Sequence, residues 1–401
     1  MNHRTQLLSL ALGAFVIGTE SYLVAGVLPA VAADLGVTLA VAGQLITAFA
    51  LTYALGSPVI AVATGTMERR RLLLWSLASF GLFNLVAASA HSYGVLLAAR
   101  IGLGLSAGTF MPAASAYAVA TMPAAQRGRA LSIIYGGLTV ALVIGAPLGV
   151  LVGGHFGWRF NFVGVAALTA AALAGLAVTL RRIEPTARVT LAERLAVARR
   201  PDVLAMLAGT VLMIAGVYTV YSFLAPFLRG TTGLGGDVMA LVFFLFGVGA
   251  TAGNYLGGGA ADQIGPVRVV TWVLAGLVVI FTLISVAGTE LPPAAARWAV
   301  VPLIVAWGFT GFSFPAAQQA RIAALAPALA PITLSLNASA IYFGASLGAV
   351  LGGLTVAHGR VEWVGWVGAA IELTAFVLLK ATTRSRADVP ETIEEPLSEA
   401  A

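Results

Sequence analysis

GAPLGVLVGG, residues 145–154, returns at 344–353 as GASLGAVLGG, an offset of 199 residues. Gly145, Gly149, Gly153 and Gly154 recur as Gly344, Gly348, Gly352 and Gly353. Glycine at every fourth position leaves one bare stripe on a helix, where a second backbone can come close. A second pair of runs repeats nearby. TFMPAASAYAVATMP (109–123) matches FSFPAAQQARIAALAP (312–327), through F-x-P-A-A or F-P-A-A and then Pro123 or Pro327. Small residues are common in membrane helices, so one ladder alone says little. Two in register indicate a chain built from two copies of one unit.

The units are membrane units. The 401 residues are 59% hydrophobic and only 9% charged, against about 25% charged in a soluble domain. A spanning helix needs about 20 mainly apolar residues. Twelve stretches qualify: 7–31, 40–64, 72–90, 95–121, 130–154, 160–180, 203–228, 238–260, 269–288, 298–320, 332–357 and 362–380. They predict an all-α membrane protein in two six-helix bundles, 1–180 and 203–380. A linker, 181–202, joins them, and a disordered tail, 381–401, follows. In the linker, Thr190 and Glu193 form a capping box ahead of LAERLAVARR; this reads either as a short helix on the lipid surface or as a plain arginine-rich connection. AVA at 30–32 resembles a cleavage site, but the apolar run before it is too long and carries Glu20 and Pro29, so an uncleaved first span is expected.

Loop charge gives the orientation. With the N-terminus inside, the inner side holds 17 Lys and Arg residues and the outer side 4, with Arg100 left within a span. Both termini are therefore expected in the cytoplasm, in a bacterial-type inner membrane. The same asymmetry explains the +6 net charge without a nucleic-acid partner. The chain has no cysteine, and Lys380 is its one lysine. That excludes disulfides, thiolate chemistry and a GK[ST] phosphate loop. His3, His91, His155 and His358 fall in loops or termini without metal-ligand spacing, so neither metal nor cofactor is expected.

Several motifs carry a resemblance. GGGAADQIGPVR (257–268) resembles motif A of the major facilitator superfamily through Gly258, Asp262 and Gly265, with Gln263 at the usual basic position and Arg268 slightly late. In the first-half loop, ATGTMERRR (63–71), the acidic position falls on Gly65, and only the basic cluster matches. RIGLG (100–104) resembles motif B through Arg100 and Gly104. GAPLG resembles the antiporter motif C through Gly145, Pro147 and Gly149. GTESYLVAGVLPAVAADLG (18–36), ITAFALTYALGSPV (46–59), YTVYSFLAPFL (218–228) and WGFTGFSFPAAQQ (307–319) look like the twelve-helix drug:proton antiporter branch, with its arabinose-efflux-like, purine-efflux-like and chloramphenicol-exporter-like permeases. The resemblance implies the major facilitator fold with parallel repeats and a carrier, expected as a monomer, with protons and a small organic substrate as partners. It implies gating roles for Gly145, Pro147, Gly149, Asp262, Gly265, Arg268 and Gly348; the ladders would serve as sliding surfaces.

Two acids lie inside spans. Glu20 stands about 20 Å into the first span at 1.5 Å per residue, where a charge costs at least ~2.5–3.5 kcal/mol. Arg100 enters the fourth span to a similar depth. A carboxyl withdrawn from water favours its protonated form, so the pair is expected either to load and release a coupled proton or to hold two helices together. Glu372, in the twelfth span, reads as a structural contact or a group in a water-exposed crevice. Tyr218, Tyr221, Trp307, Phe314, Asn337 and Tyr342 occupy cavity-type positions and suggest a planar or amphipathic substrate. Export is the leading expectation. Uptake or facilitated diffusion by the same fold is the alternative. A membrane-embedded enzyme is less favoured, because no cluster of His, Asp or Glu shares one depth.

Overall fold

The computed structural model describes residues 3–123, 126–183, 191–325 and 329–387. Twelve helices among them are long and apolar enough to cross a membrane. The first half holds α1 (His3–Asp34), α2 (Leu39–Ala63), α3 (Arg69–Ala88), α4 (Tyr93–Thr121), α5 (Arg127–Phe156) and α6 (Trp158–Thr179). The second holds α7 (Pro201–Tyr221), α8 (Gly236–Ile264), α9 (Pro266–Glu290), α10 (Pro293–Leu325), α11 (Ala330–His358) and α12 (Val364–Ala387).

Local chemistry sets the ends. Thr38 and Ser92 accept the amides of Val41 and Val95 and so cap α2 and α4. Gly265 turns α8 into α9 at φ +89°, a conformation costly to any residue with a Cβ. That is the physical reason for a glycine at this place in the motif. Pro147 has no amide to donate, and the turn before it, Ala141–Gly145, relaxes into a π-helix. α7 breaks at Ser222 and Phe223 and resumes as Leu224–Thr232.

Two edges differ from the sequence expectation. The chain from 381 is not all tail: α12 runs on to Ala387, and 388–401 lies outside the described residues. Thr190 also lies outside them, but a helix does form at Leu191–Ala198. It is tied to protein: Val197 is buried with Val203, Leu207 and Ala340, and Arg194 Nη1 donates to Ser335 Oγ at 2.7 Å.

The glycine ladders face inward within each half. A Cβ at Gly145, Gly149 or Gly153 would press on Thr19, Leu23 or Val27 of α1, and one at Gly344, Gly348 or Gly352 on the backbone of α7 at Val211, Ala215 or Thr219. They close α1 on α5 and α7 on α11, whereas the sequence reading assigned them to surfaces that slide. Gly348→Leu is therefore expected to lower the melting temperature in a thermal-shift assay, since overpacking typically costs about 1–3 kcal/mol. Gly149→Leu should act in the same direction, because a Cβ there would stand 2.6 Å from Leu23 Cβ, an atom fixed by the α1 backbone. Unchanged melting of Gly348→Leu would show that the close approach is dispensable.

The halves meet through α2 with α11, α5 with α8, and α1 with the continuation of α7. These contacts gather at the end away from the chain termini. Phe223, fully buried, wedges between Gly43 of α2 and Gly352 of α11. Gly247 of α8 rests on the backbone of Leu142 and Val143, in the π-helical turn of α5. His155 and Asp237 pair at 3.0 Å. Tyr135, on the terminus-side part of α5, is 47% exposed. The two halves thus close together at the end away from the termini.

Candidate functional site

Glu20 and Arg100 meet. Arg100 Nη1 donates to Glu20 Oε1 in an ion pair that is 0% and 1% exposed. Arg100 Nε donates to the carbonyl of Leu45 at 3.0 Å. Its guanidinium also lies over the ring of Phe49, 4.4 Å from the centroid, a cation–π contact. Glu20 Oε2, Arg100 Nη2 and Thr19 Oγ1 have no partner among the described residues. A buried pair repays its desolvation only when the remaining polar atoms are satisfied. This one is half satisfied, which narrows the energy gap between the closed pair and a protonated, separated one.

A cavity of about 60 Å³ lies between the halves. Gly18, Ser21, Tyr22 and Leu138 line it from the first half, and Tyr218, Ile341, Tyr342 and Ala345 from the second. Aromatic rings wall it. Tyr53 stacks on Tyr342 at 3.5 Å between centroids, and Tyr22 meets Tyr221 edge-on at 6.3 Å. Phe49 joins the two regions, because its other neighbour is Tyr342 at 6.5 Å. A continuous contact therefore runs from Glu20 through Arg100, Phe49 and Tyr342 to the cavity.

The residues expected to bind substrate do not all gather there. Tyr218 and Tyr342 line the cavity, and Tyr221 stands directly behind. Trp307 packs one layer deeper, on Tyr221, Phe246 and Phe281. Asn337 accepts from Thr210 Oγ1 at 2.8 Å, in a buried network that Gln318 extends. Phe314 lines a different cavity at the terminus-side end. Of the motif residues, Asp262 and Arg268 are exposed and form no ion pair among the described residues. The first-half loop does hold an acid at work. Glu68 accepts from the amides of Arg70 and Arg71, capping α3, and from Ile183 N at 3.2 Å beyond α6. Its place just before the arginine run is the helix-cap signal that motif matching passed over.

Tyr22, Phe49 and Tyr53 were likewise missed. Tyr22 could have been found by the repeat offset alone, since 199 residues beyond it stands Tyr221, its own contact. Phe49 and Tyr53 face one way by their spacing of four on α2, but nothing in the sequence says which helix they face.

The model of the Major Facilitator Superfamily matches residues 10–235 and 206–400. The chain belongs to the major facilitator superfamily. Relatives agree over nearly the whole length. An uncharacterised transporter of this type from Bacillus subtilis, YbcL, is 31% identical over 383 residues, covering 94% of this chain and 96% of its own. The Escherichia coli inner membrane transport protein YdhP is 31% identical, covering 96% and 97%. A chloramphenicol resistance protein of Streptomyces lividans is 34% identical, covering 87% and 88%. Among solved structures, a bacterial homologue of the human lysosomal transporter Spinster, inward-facing and unoccupied, superposes with a TM-score of 0.78 at 18% identity, covering 96% of this chain and 98% of its own. The protein is thus a multi-pass membrane transporter and not an enzyme, and its twelve spans are the two six-helix units read from the glycine repeat.

Proposed function

We propose that this major facilitator is a proton-coupled exporter of a small, planar or amphipathic organic molecule, working by alternating access in the bacterial inner membrane. One observation carries the reading: an incompletely satisfied carboxylate–guanidinium pair lies in the middle of the bundle, one aromatic ring away from a cavity shared by both halves. A proton arriving at Glu20 neutralises the pair and releases Arg100. The change reaches the cavity through Phe49 and Tyr342. In the state described here the acid is paired and the end away from the termini is shut. On the loop-charge orientation the terminus side is the cytoplasm, where an exporter gives up its proton and takes its substrate. The likeness to a chloramphenicol resistance protein supports efflux.

The decisive experiment is transport by the purified chain in proteoliposomes under an imposed pH gradient, with hydrophobic cations and nucleobases as trial solutes. Accumulation that ignores the gradient would overturn the coupling. Phe49→Leu keeps the apolar volume but removes the ring face. It is expected to retain solute binding while reducing the protons released on solute addition; full release would exclude Phe49 from the route. For orientation, a reporter fused after Ala401 should be active only as a cytoplasmic marker, and external activity would reverse the assignment.

A further inference from the structure

The second half holds a buried acid that this coupling scheme does not use. Glu372 sits near the middle of α12, fully buried, and neither of its oxygens has a hydrogen-bond partner among the described residues. Its carboxyl lies against α7 at Gly216, where a Cβ would stand 2.5 Å from Oε1. The missing side chain at 216 makes the space that the acid occupies. α12 packs on α7, α9 and α11. The ionisable residues these elements bring are Asp202, Tyr218 and Tyr221 on α7, Arg268 and Glu290 on α9, Tyr342 and His358 on α11, and Lys380, Arg384 and Arg386, the last two in the final turn, on α12 itself. Asp202, Arg268, Glu290 and His358 stand in terminal turns, and Lys380 is about 12 Å further along α12. The tyrosines belong to the aromatic group around the central cavity. Among the described residues no cation stands at the level of the carboxyl, and an ionised group there would cost several kcal/mol.

A second cavity points at it. About 730 Å³ opens at the terminus-side end of the second half, among α7, α9, α10 and α12, lined in part by Met206, Gly209, Leu274, Gln318 and Leu379. Gly209 and Leu379 lie seven residues from Gly216 and Glu372. Seven residues are two turns on the same helix face, so the cavity ends about 10 Å from the acid along the same seam. In the first half, the corresponding end is filled. Gln6 Nε2 donates to Thr179 O at 3.1 Å, Tyr117 Oη accepts from Arg181 N at 2.8 Å, and Ile183 packs on the core.

We propose that Glu372 is a second proton-binding site, separate from Glu20, which exchanges its proton with water at the terminus-side end through this cavity. In the exchange, the carboxyl O–H bond breaks, the proton passes to a water molecule, and a carboxylate remains; reprotonation reverses the step, with no change of oxidation state.

Infrared difference spectroscopy on the full chain in lipid nanodiscs tests this, because a protonated carboxyl and a carboxylate have separate stretching bands. A protonated-acid band is expected at neutral pH in the natural protein and in Glu20→Gln, and absent in Glu372→Gln. Glu372→Asp, which keeps the acid, should move the band without removing it. Deuterium from heavy water should shift this band. Gly209→Phe, built where a Cβ meets nothing within 4 Å, should fill the cavity and slow that shift severalfold. A spectrum with no band sensitive to Glu372→Gln or Glu372→Asp would overturn the site. Exchange unaffected by Gly209→Phe would overturn the route. Neither readout depends on transport, so the Glu20 coupling stands or falls separately.

Discussion

Glu20→Gln is expected to bind solute and to lose uphill transport. One pH unit is worth about 1.4 kcal/mol per proton, a tenfold solute gradient at equilibrium. With a non-ionising amide at position 20, that gradient should collapse to equal concentrations on both sides, while exchange of solute for solute continues. The amide matches the protonated acid in size, and Arg100 keeps the Leu45 carbonyl and the Phe49 ring, so folding should survive. Arg100 behaves differently on substitution. Arg100→Ala strips the partner from a buried carboxylate, a loss worth about 3–5 kcal/mol unless the acid takes up a proton. The variant should therefore mimic the protonated state. Arg100→Lys keeps a charge but not the fork that reaches both Glu20 and the Leu45 carbonyl, so it should fall between the two. The measurement is solute accumulation in proteoliposomes beside proton release in detergent. Normal uphill transport by Glu20→Gln would reduce the pair to a structural clamp.

Gly247→Leu is expected to hold the carrier in the conformation opposite to the one described here. A Cβ at Gly247 would stand 2.7 Å from Val143 Cα and 3.0 Å from Leu142 O. Both are backbone atoms of the other half, and neither can turn aside as a side chain can. The contact exists only while the end away from the termini is shut. A leucine therefore penalises that state alone and leaves the interior of each half intact. If the penalty reaches about 3 kcal/mol, within the range for overpacking, the population of the shut state falls by more than a hundredfold. The chain contains no cysteine, so Ser21→Cys places one thiol in the central cavity on a silent background. Membrane-impermeant labelling of that thiol should move from the terminus side to the opposite side when Gly247→Leu is added. Labelling that stays on the terminus side would show that α5 and α8 need not touch for the gate to close.

Much of this architecture is legible in the chain itself because the bilayer leaves few options. Apolar length gives the spans, and the 199-residue echo gives the two-unit plan. Glu20 and Arg100 were also legible, since charge at that depth demands a reason. Orientation about each helix axis was not. The ladder glycines could face a sister helix or the other half, and small residues suit either. Phe314 and Asn337 sit on suitable helices and at suitable spacing, yet their rotation and depth carry them away from the central cavity. Glu68 shows the opposite failure: its neighbours were read as a worn motif, while its own role came from helix-end physics.

The meeting of Tyr22 and Tyr221 places the molecule's pseudo-twofold axis between them, for a residue touches its own counterpart only where a symmetry operator maps the contact onto itself. In a dimer of identical six-helix units, any change at such a site would appear on both sides at once. Glu20 could then exist only as two acids. The counterpart of Glu20 at the same offset is Thr219, whose hydroxyl donates to the carbonyls of Ala215 and Gly348 at 2.8 and 3.2 Å. Joining the units in one chain frees each copy to diverge: one keeps a charge, and the other binds its neighbouring helix with a neutral hydroxyl.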